Sequence, residues 1–209
     1  MRKRSKLSIL SLLLIIFTLI LGACSSSSES SEGTSSSSSG SDGDVVKIGV
    51  LAPTTGPNAA EGKDMVNGAE MAAKHLNDAG GINGKKIELV VQDDGCDPQV
   101  AVTGANKLIQ EDVSIVVGHM CSSAALPTSG VFNKAGMPLI SVGANSHQLP
   151  EQGYENLFLI NGMLLDQGQK VSGYFKDKGV KKIALVHDNS DYARDLADIT
   201  KDLHEKNGG

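Results

Sequence analysis

The sequence predicts an α/β fold built on a parallel sheet flanked by helices. Three observations predict it. From Val45 onward, short β-branched apolar runs alternate with stretches of helical periodicity. The breaks between them carry Gly, Pro, Asn and Asp, which turn a chain. The rhythm is strand then helix, that of βαβ units whose parallel strands need crossovers.

The elements follow in order. Val45 to Ala52 is β-branched and apolar and reads as a buried strand. Pro53 to Asn58 is a turn. Glu61 to Asn77 reads as a helix with Met65, Ala69, Ala72, Ala73 and Leu76 on its inward face. Gly80-Gly81-Ile82-Asn83-Gly84 breaks it, and Lys86 to Gln92 is a second strand. Pro98 opens a second helix as an N1 proline, with Val102, Ala105, Leu108 and Ile109 inward. Val113 to Val117 is a third strand, Ser122 to Lys134 a third helix, and Pro138 to Val142 a fourth strand. Leu157 to Ile160 is a short apolar segment placed to cross to another lobe. Asp166 to Lys178 is helical, Lys182 to His187 is a strand, and Asp191 to Lys206 is helical. Parallel sheets bind ligands outside the carboxyl ends of their strands. That singles out loops 53–61, 93–97, 118–123, 143–147 and 188–192.

The N-terminus speaks to compartment. Arg2, Lys3, Arg4 and Lys6 precede an apolar run from Leu7 to Leu21, the layout of a secretory signal peptide. Leu21-Gly22-Ala23-Cys24 ends the run and resembles the lipobox of bacterial lipoproteins. That resemblance implies cleavage before Cys24 and a lipid anchor, diacylglycerol with palmitate-type chains, on its sulfur. The alternative is a retained anchor helix. Ser25 to Asp44 is almost entirely Ser, Gly, Asp, Glu and Thr. With no apolar residue to bury, it reads as a flexible linker. Residues 1–23 are thus expected to be signal peptide and 24–44 linker, and the protein extracytoplasmic and held at the cell membrane through Cys24.

Loss of residues 1–23 removes four positive charges and no negative ones, taking the formal charge from −5 to −9. An acidic surface does not suit nucleic acid, which is excluded as a partner. Aromatic residues make up 3% and tryptophan is absent, which disfavours stacking platforms. Of three cysteines, Cys24 is taken by lipid. Cys96 and Cys121 are free to pair in an exported chain, or to stand as two buried thiols. His119 is the only histidine near either, so a zinc-type metal centre is not expected.

The loops carry the candidate chemistry. In Gly118-His119-Met120-Cys121-Ser122-Ser123, a strand meets a helix start. Ser122 and Ser123 stand where hydroxyls cap a helix, or where free N–H groups receive an anion such as a carboxylate. Gly143-Ala144-Asn145-Ser146-His147 ends the next strand. Gly143 allows a ligand to approach the backbone, Asn145 offers a donor and an acceptor, and the alternative is an ordinary turn. Asp93, Asp94 and Asp97 suit acid–base work or Ca²⁺, against a solvated acidic loop held by Cys96, the favoured reading. His119 and Ser122 make a conceivable base and nucleophile. No G-x-S-x-G elbow surrounds the serine, and neither a Walker motif nor a G-x-G-x-x-G follows a strand. No cofactor is expected, and the chain reads as a binding protein, not an enzyme.

Several stretches together resemble the Leu/Ile/Val-binding proteins of bacterial ABC importers, which have the type 1 periplasmic-binding-protein fold. They are Lys47-Ile48-Gly49-Val50 with Thr55-Gly56-Pro57, Gly68-Ala69-Glu70, Ala79 to Gly84, Asp93-Asp94-Gly95-Cys96-Asp97-Pro98, Gly118 to Ser123, Asp166-Gln167-Gly168, and Val186-His187-Asp188 with Tyr192. The paired cysteine motifs are the specific part. The resemblance implies two lobes closing over an amino acid, with residues 45–160 in the first and 161–209 the incomplete start of the second. It implies a Cys96–Cys121 disulfide and ABC permease subunits as partners. It implies that Ser122, Ser123 and Ala144 line the ligand site, with Ser122 on the ligand carboxylate. Gly143 would offer its carbonyl to the ammonium, Asn145 would touch both ends, and Tyr192 would touch the side chain.

Three departures from the family pattern stand out. Asn145 replaces a threonine. Glu61 replaces an aromatic pocket residue, which suits a polar or cationic side chain or else solvent. Ala193-Arg194-Asp195 stands where glycines are usual. The family chain also crosses between lobes three times, so these 209 residues are expected to be a fragment or truncated product whose last helix leaves an apolar face uncovered. A ligand-sensing receptor domain of the same fold is the alternative function.

Overall fold

The computed structural model describes residues 45–209. The expected signal peptide, the expected lipid site at Cys24 and the expected linker lie outside the described residues. Among the described residues, no helix is long and apolar enough to cross a membrane.

Five parallel strands form one sheet, β1 (Val45–Ala52), β2 (Lys86–Asp93), β3 (Ile115–Gly118), β4 (Leu139–Ser141) and β5 (Leu157–Leu159), in the order β2-β1-β3-β4-β5. β1 lies in register with β2 from Val45 beside Lys86 to Ala52 beside Asp93. The helices are α1 (Ala59–Asp78), α2 (Pro98–Gln110), α3 (Ser122–Ala135), a single turn α4 (Gln148–Glu151), α5 (Leu164–Asp177) and α6 (Asp191–Lys206). α1 packs on β1 and β2, while α2 and α3 pack on each other and on the sheet. Between them lies the core, with Leu51, Leu108, Val116, Phe132 and Leu139 buried.

Local chemistry explains the boundaries. Asp97 caps α2, its carboxylate accepting from the N–H groups of Gln99 and Val100, and Pro98 follows at the first helical position. Gly136 ends α3 at φ 65°, and the N–H of Met137 returns to the Phe132 carbonyl, the left-handed terminus that glycine adopts without strain. Ser190 caps α6 by accepting from the Ala193 N–H.

The structure corrects several expectations. Leu157–Leu159 does not cross away; it pairs with β4 as the fifth strand, and the chain leaves the sheet only afterwards. Lys182 to His187 forms no strand. Among the described residues no neighbour lies beside it to complete a ladder, and Val186 is 95% exposed. On α1, Gly62 and Ala73 are buried, while Leu76 is 48% exposed and Ala72 exposed. The inward stripe is narrower than periodicity alone gives, because the helix rests on only two strands. α6 packs Ile199 and Leu203 at Gly168 of α5, and among the described residues the most exposed large apolar side chains, Val186, Ile160, Met71, Tyr174 and Phe158, lie outside α6.

Candidate functional site

Loops from the carboxyl ends of β2, β3 and β4 meet at the N-terminus of α3. Cys96 follows β2 and Cys121 precedes α3. Their sulfurs are joined, with Cα atoms 5.4 Å apart, inside the range a disulfide requires. Asn58 turns its amide towards both sulfurs, at 3.1 Å from Cys96 and 3.6 Å from Cys121.

The serines do not cap the helix. Cys121 is the capping residue and makes no side-chain cap bond. Ser123 donates its hydroxyl to the Cys96 carbonyl at 2.8 Å. The Ser122 Oγ accepts from the Ser146 N–H at 3.3 Å, which leaves its own proton free to donate. The N–H groups of Ala124 and Ala125 turn back to the Cys121 carbonyl. Among the described residues, those of Ser122 and Ser123 meet no protein acceptor, as expected of a first helical turn. Free amide hydrogens and a positive dipole end favour an anion there.

A cavity of about 420 Å³ opens at this mouth. Ser122, Ser123 and Gly143 line it from one side, and Asp188, Ser190 and Tyr192 from the segment entering α6. The remaining walls are Asn58, Met120 and the two sulfurs. Asp188 accepts from the Ser190 hydroxyl at 2.7 Å and the Ser190 N–H at 2.9 Å. These two bonds, the hydroxyl first, hold its carboxyl below the usual range despite slight desolvation. It presents a negative charge across the cavity from the α3 terminus.

The other site residues take different places. Ala144 is buried beneath the loop, packed with Ala125 and Leu149. Asn145 is buried too, and its amide donates to the Gly162 carbonyl at 2.8 Å; neither lines the cavity. Glu61 is exposed on the first turn of α1, away from the cavity lining. A Cβ at Gly143 would stand 2.9 Å from the Met120 Cα, so the glycine lets two loops approach each other while its backbone borders the cavity. Its carbonyl already accepts the Asn161 amide at 2.7 Å, where an ammonium was expected. Asn58, Met120 and Ser190 were not singled out individually. Only their positions at strand ends marked them.

Of the acidic loop only Asp94 is sealed from solvent; Asp93 and Asp97 stay at the surface, though each carboxylate accepts hydrogen bonds from the protein. Asp97 caps α2. Asp94 is fully buried, accepting from the Cys96 N–H at 2.9 Å and meeting His119 Nδ1 at 2.8 Å. Asp93 binds the N–H groups of Thr54, Thr55 and Gly95 and the Thr55 hydroxyl. Burial pushes the Asp93 carboxyl up, but the Thr55 hydroxyl and the backbone donors outweigh it, so the net shift is downward. A depressed folded value means stability present above the unfolded value of about 3.9 and lost as pH falls through the folded one. Asp93→Asn is therefore expected to flatten the loss of urea stability below about pH 4. An unchanged acid limb would contradict this.

His119 cannot serve Ser122 as a base. Its ring nitrogens face Asp94 and the Thr128 hydroxyl, the latter at 2.7 Å, and all three side chains are sealed from solvent. Among the described residues, no three His, Cys, Asp or Glu side chains group as a metal site.

A family model described as periplasmic binding protein matches residues 45–209. An amino acid binding protein of Pseudomonas aeruginosa is 44% identical over 160 residues, which are 76% of this chain and 42% of that protein. The Leu/Ile/Val-binding protein of Escherichia coli K12 is 35% identical over 158 residues, 75% of this chain and 43% of that protein. Among solved structures, the branched-chain amino acid transporter substrate binding protein LivJ from Streptococcus pneumoniae, in complex with isoleucine, superposes with a TM-score of 0.71. It is 35% identical and covered over 47% of its length by 77% of this chain. The chain spans less than half the length of the curated relatives it matches. With the parallel sheet, the loops at its carboxyl edge and these matches in agreement, the chain belongs to the periplasmic binding protein family.

Proposed function

We propose that this chain is part of an extracytoplasmic lipoprotein that captures an amino acid and delivers it to the permease of an ABC importer. The observation that carries the reading is the mouth of α3. Two amide hydrogens without protein acceptors and the Ser122 hydroxyl border a cavity, and that arrangement suits a carboxylate. The named ligands of relatives, amino acids and isoleucine, agree with it. In this reading residues 45–160 belong to one lobe and 161–209 to the beginning of a second, with closure over the ligand. Ser122 and Ser123 hold the carboxylate, Tyr192 meets the side chain, and Gly143, Ala144 and Asn145 shape the loop beneath. Asp188 faces the ligand's cationic end. Glu61 stays in solvent. Cys96 and Cys121 are oxidised in the exported protein, and Cys24 carries the lipid. The site performs capture without bond chemistry.

Calorimetry on the full-length protein tests this. Titration with the common amino acids is expected to give one saturable ligand. Ser122→Ala removes a hydrogen bond to a charged group and is expected to weaken that ligand about 10- to 100-fold, with no turnover in either protein. Failure to bind any common amino acid, amide or small urea sinks the reading.

A further inference from the structure

Asp195 lies on α6 one turn after Tyr192, yet it is only 6% exposed. A carboxylate so placed is costly unless donors surround it. The donors come from the loop after β4. The Ser146 hydroxyl donates to Asp195 Oδ2 at 2.6 Å, and the His147 N–H reaches the same oxygen at 3.3 Å. Asp195 Oδ1 lies 2.5 Å from His147 Nδ1. That approach is close but not aligned as a hydrogen bond, so the His147 tie to Asp195 is its backbone N–H. The same Ser146 gives its N–H to Ser122 Oγ at 3.3 Å. One continuous path therefore runs from a carboxylate on α6, through Ser146, to the hydroxyl at the α3 mouth.

The proton count along this path has a consequence. Ser146 has one hydroxyl proton, and Asp195 takes it. Ser122 Oγ accepts from the Ser146 N–H, which leaves its own proton free to donate, and Ser122 lines the cavity. The helix that carries Tyr192 is tied to the loop that orients Ser122. None of Ser146, His147 and Asp195 lines the cavity itself. Asp195 also falls in the stretch where the family resemblance puts glycines, which have no side chain to reach across.

We propose that Asp195, Ser146 and His147 form a latch that draws α6 onto the mouth of α3 and positions the Ser122 hydroxyl for the anionic group of the ligand. They are positioning residues. The positioning half rests on the proposed function; the latch itself does not.

Two measurements on the full-length protein separate the halves. Spin labels at the exposed positions Asp198 on α6 and Lys134 on α3 report their separation without any ligand. The parent is expected to give one narrow distance distribution, and Asp195→Ala a broader, longer one. An unchanged distribution overturns the latch. Should Asp195→Ala fail to fold, Ser146→Ala removes the 2.6 Å bond and is read the same way. Stopped-flow release of the amino acid found by calorimetry is the second measurement. Asp195→Asn and Ser146→Ala are each expected to speed release about tenfold, and together no more than either alone. Additive effects, or unchanged release, overturn the coupling to Ser122. If the parent binds no amino acid, the function fails while the spin-label result still decides the latch.

Discussion

Asp94→Ala is expected to lower the unfolding free energy by about 3–5 kcal/mol, the loss that follows removal of one partner from a buried ionisable pair. Proton bookkeeping explains the size. The Thr128 hydroxyl lies 2.8 Å from the Ala124 carbonyl, and two oxygens that close repel unless a proton sits between them. Its single proton is therefore spent on α3. Its oxygen also lies 2.7 Å from His119 Nε2, within hydrogen-bond reach. The remaining contact joins Nδ1 to Asp94 Oδ2 at 2.8 Å. Deleting the carboxylate strands His119 in a sealed interior and leaves the Cys96 N–H without its acceptor. Urea denaturation of the parent, Asp94→Ala and Asp94→Asn checks this. Asn keeps an acceptor, so its loss is expected to be smaller. A loss under about 1 kcal/mol for Ala would show that the pair contributes no more than an ordinary hydrogen bond.

That network also marks where local sequence reasoning stops. Val45–Ala52 and Asp191–Lys206 were legible to the residue, because an apolar run with clear flanks specifies the first and polar caps specify the second. Pro98 at the first position of α2 was legible for the same local reason. The fate of Asp94 was not, because its partner lies 25 residues away. Ser122 and Ser123 read either as N-caps or as an anion seat by a rule of adjacent residues; they make no cap bond, and non-local partners take the Ser123 proton and one acceptor position of Ser122. Gly143 read as a place for ligand approach; it lines the cavity, and it also admits the Met120 backbone, which the sequence did not reveal. Strand 182–187 failed because a ladder is a property of two segments and the sequence pattern describes one. What sequence did locate was the edge of the sheet where the cavity opens.

Reducing the Cys96–Cys121 bond is expected to cost about 3.5 kcal/mol in the chain-entropy account, given a sequence separation of 25. The effect on the site should exceed that of a remote loss of equal stability. The bond joins the loop after β2 to the residue immediately before Ser122. Around it, Ser123 holds the Cys96 carbonyl at 2.8 Å and Asn58 touches both sulfurs. Two measurements check this: the urea midpoint with and without reductant, and ligand affinity in both states. The parent should lose stability and affinity together, while the double variant Cys96→Ser, Cys121→Ser should start low and ignore reductant. A parent midpoint indifferent to reductant would mean that the Ser123 bond and the Asp94–His119 pair already hold the loops. The reason to expect otherwise lies in the material of the site. Amide hydrogens cannot swing as a lysine does to meet a displaced carboxylate, so their aim is only as good as the loop that carries them.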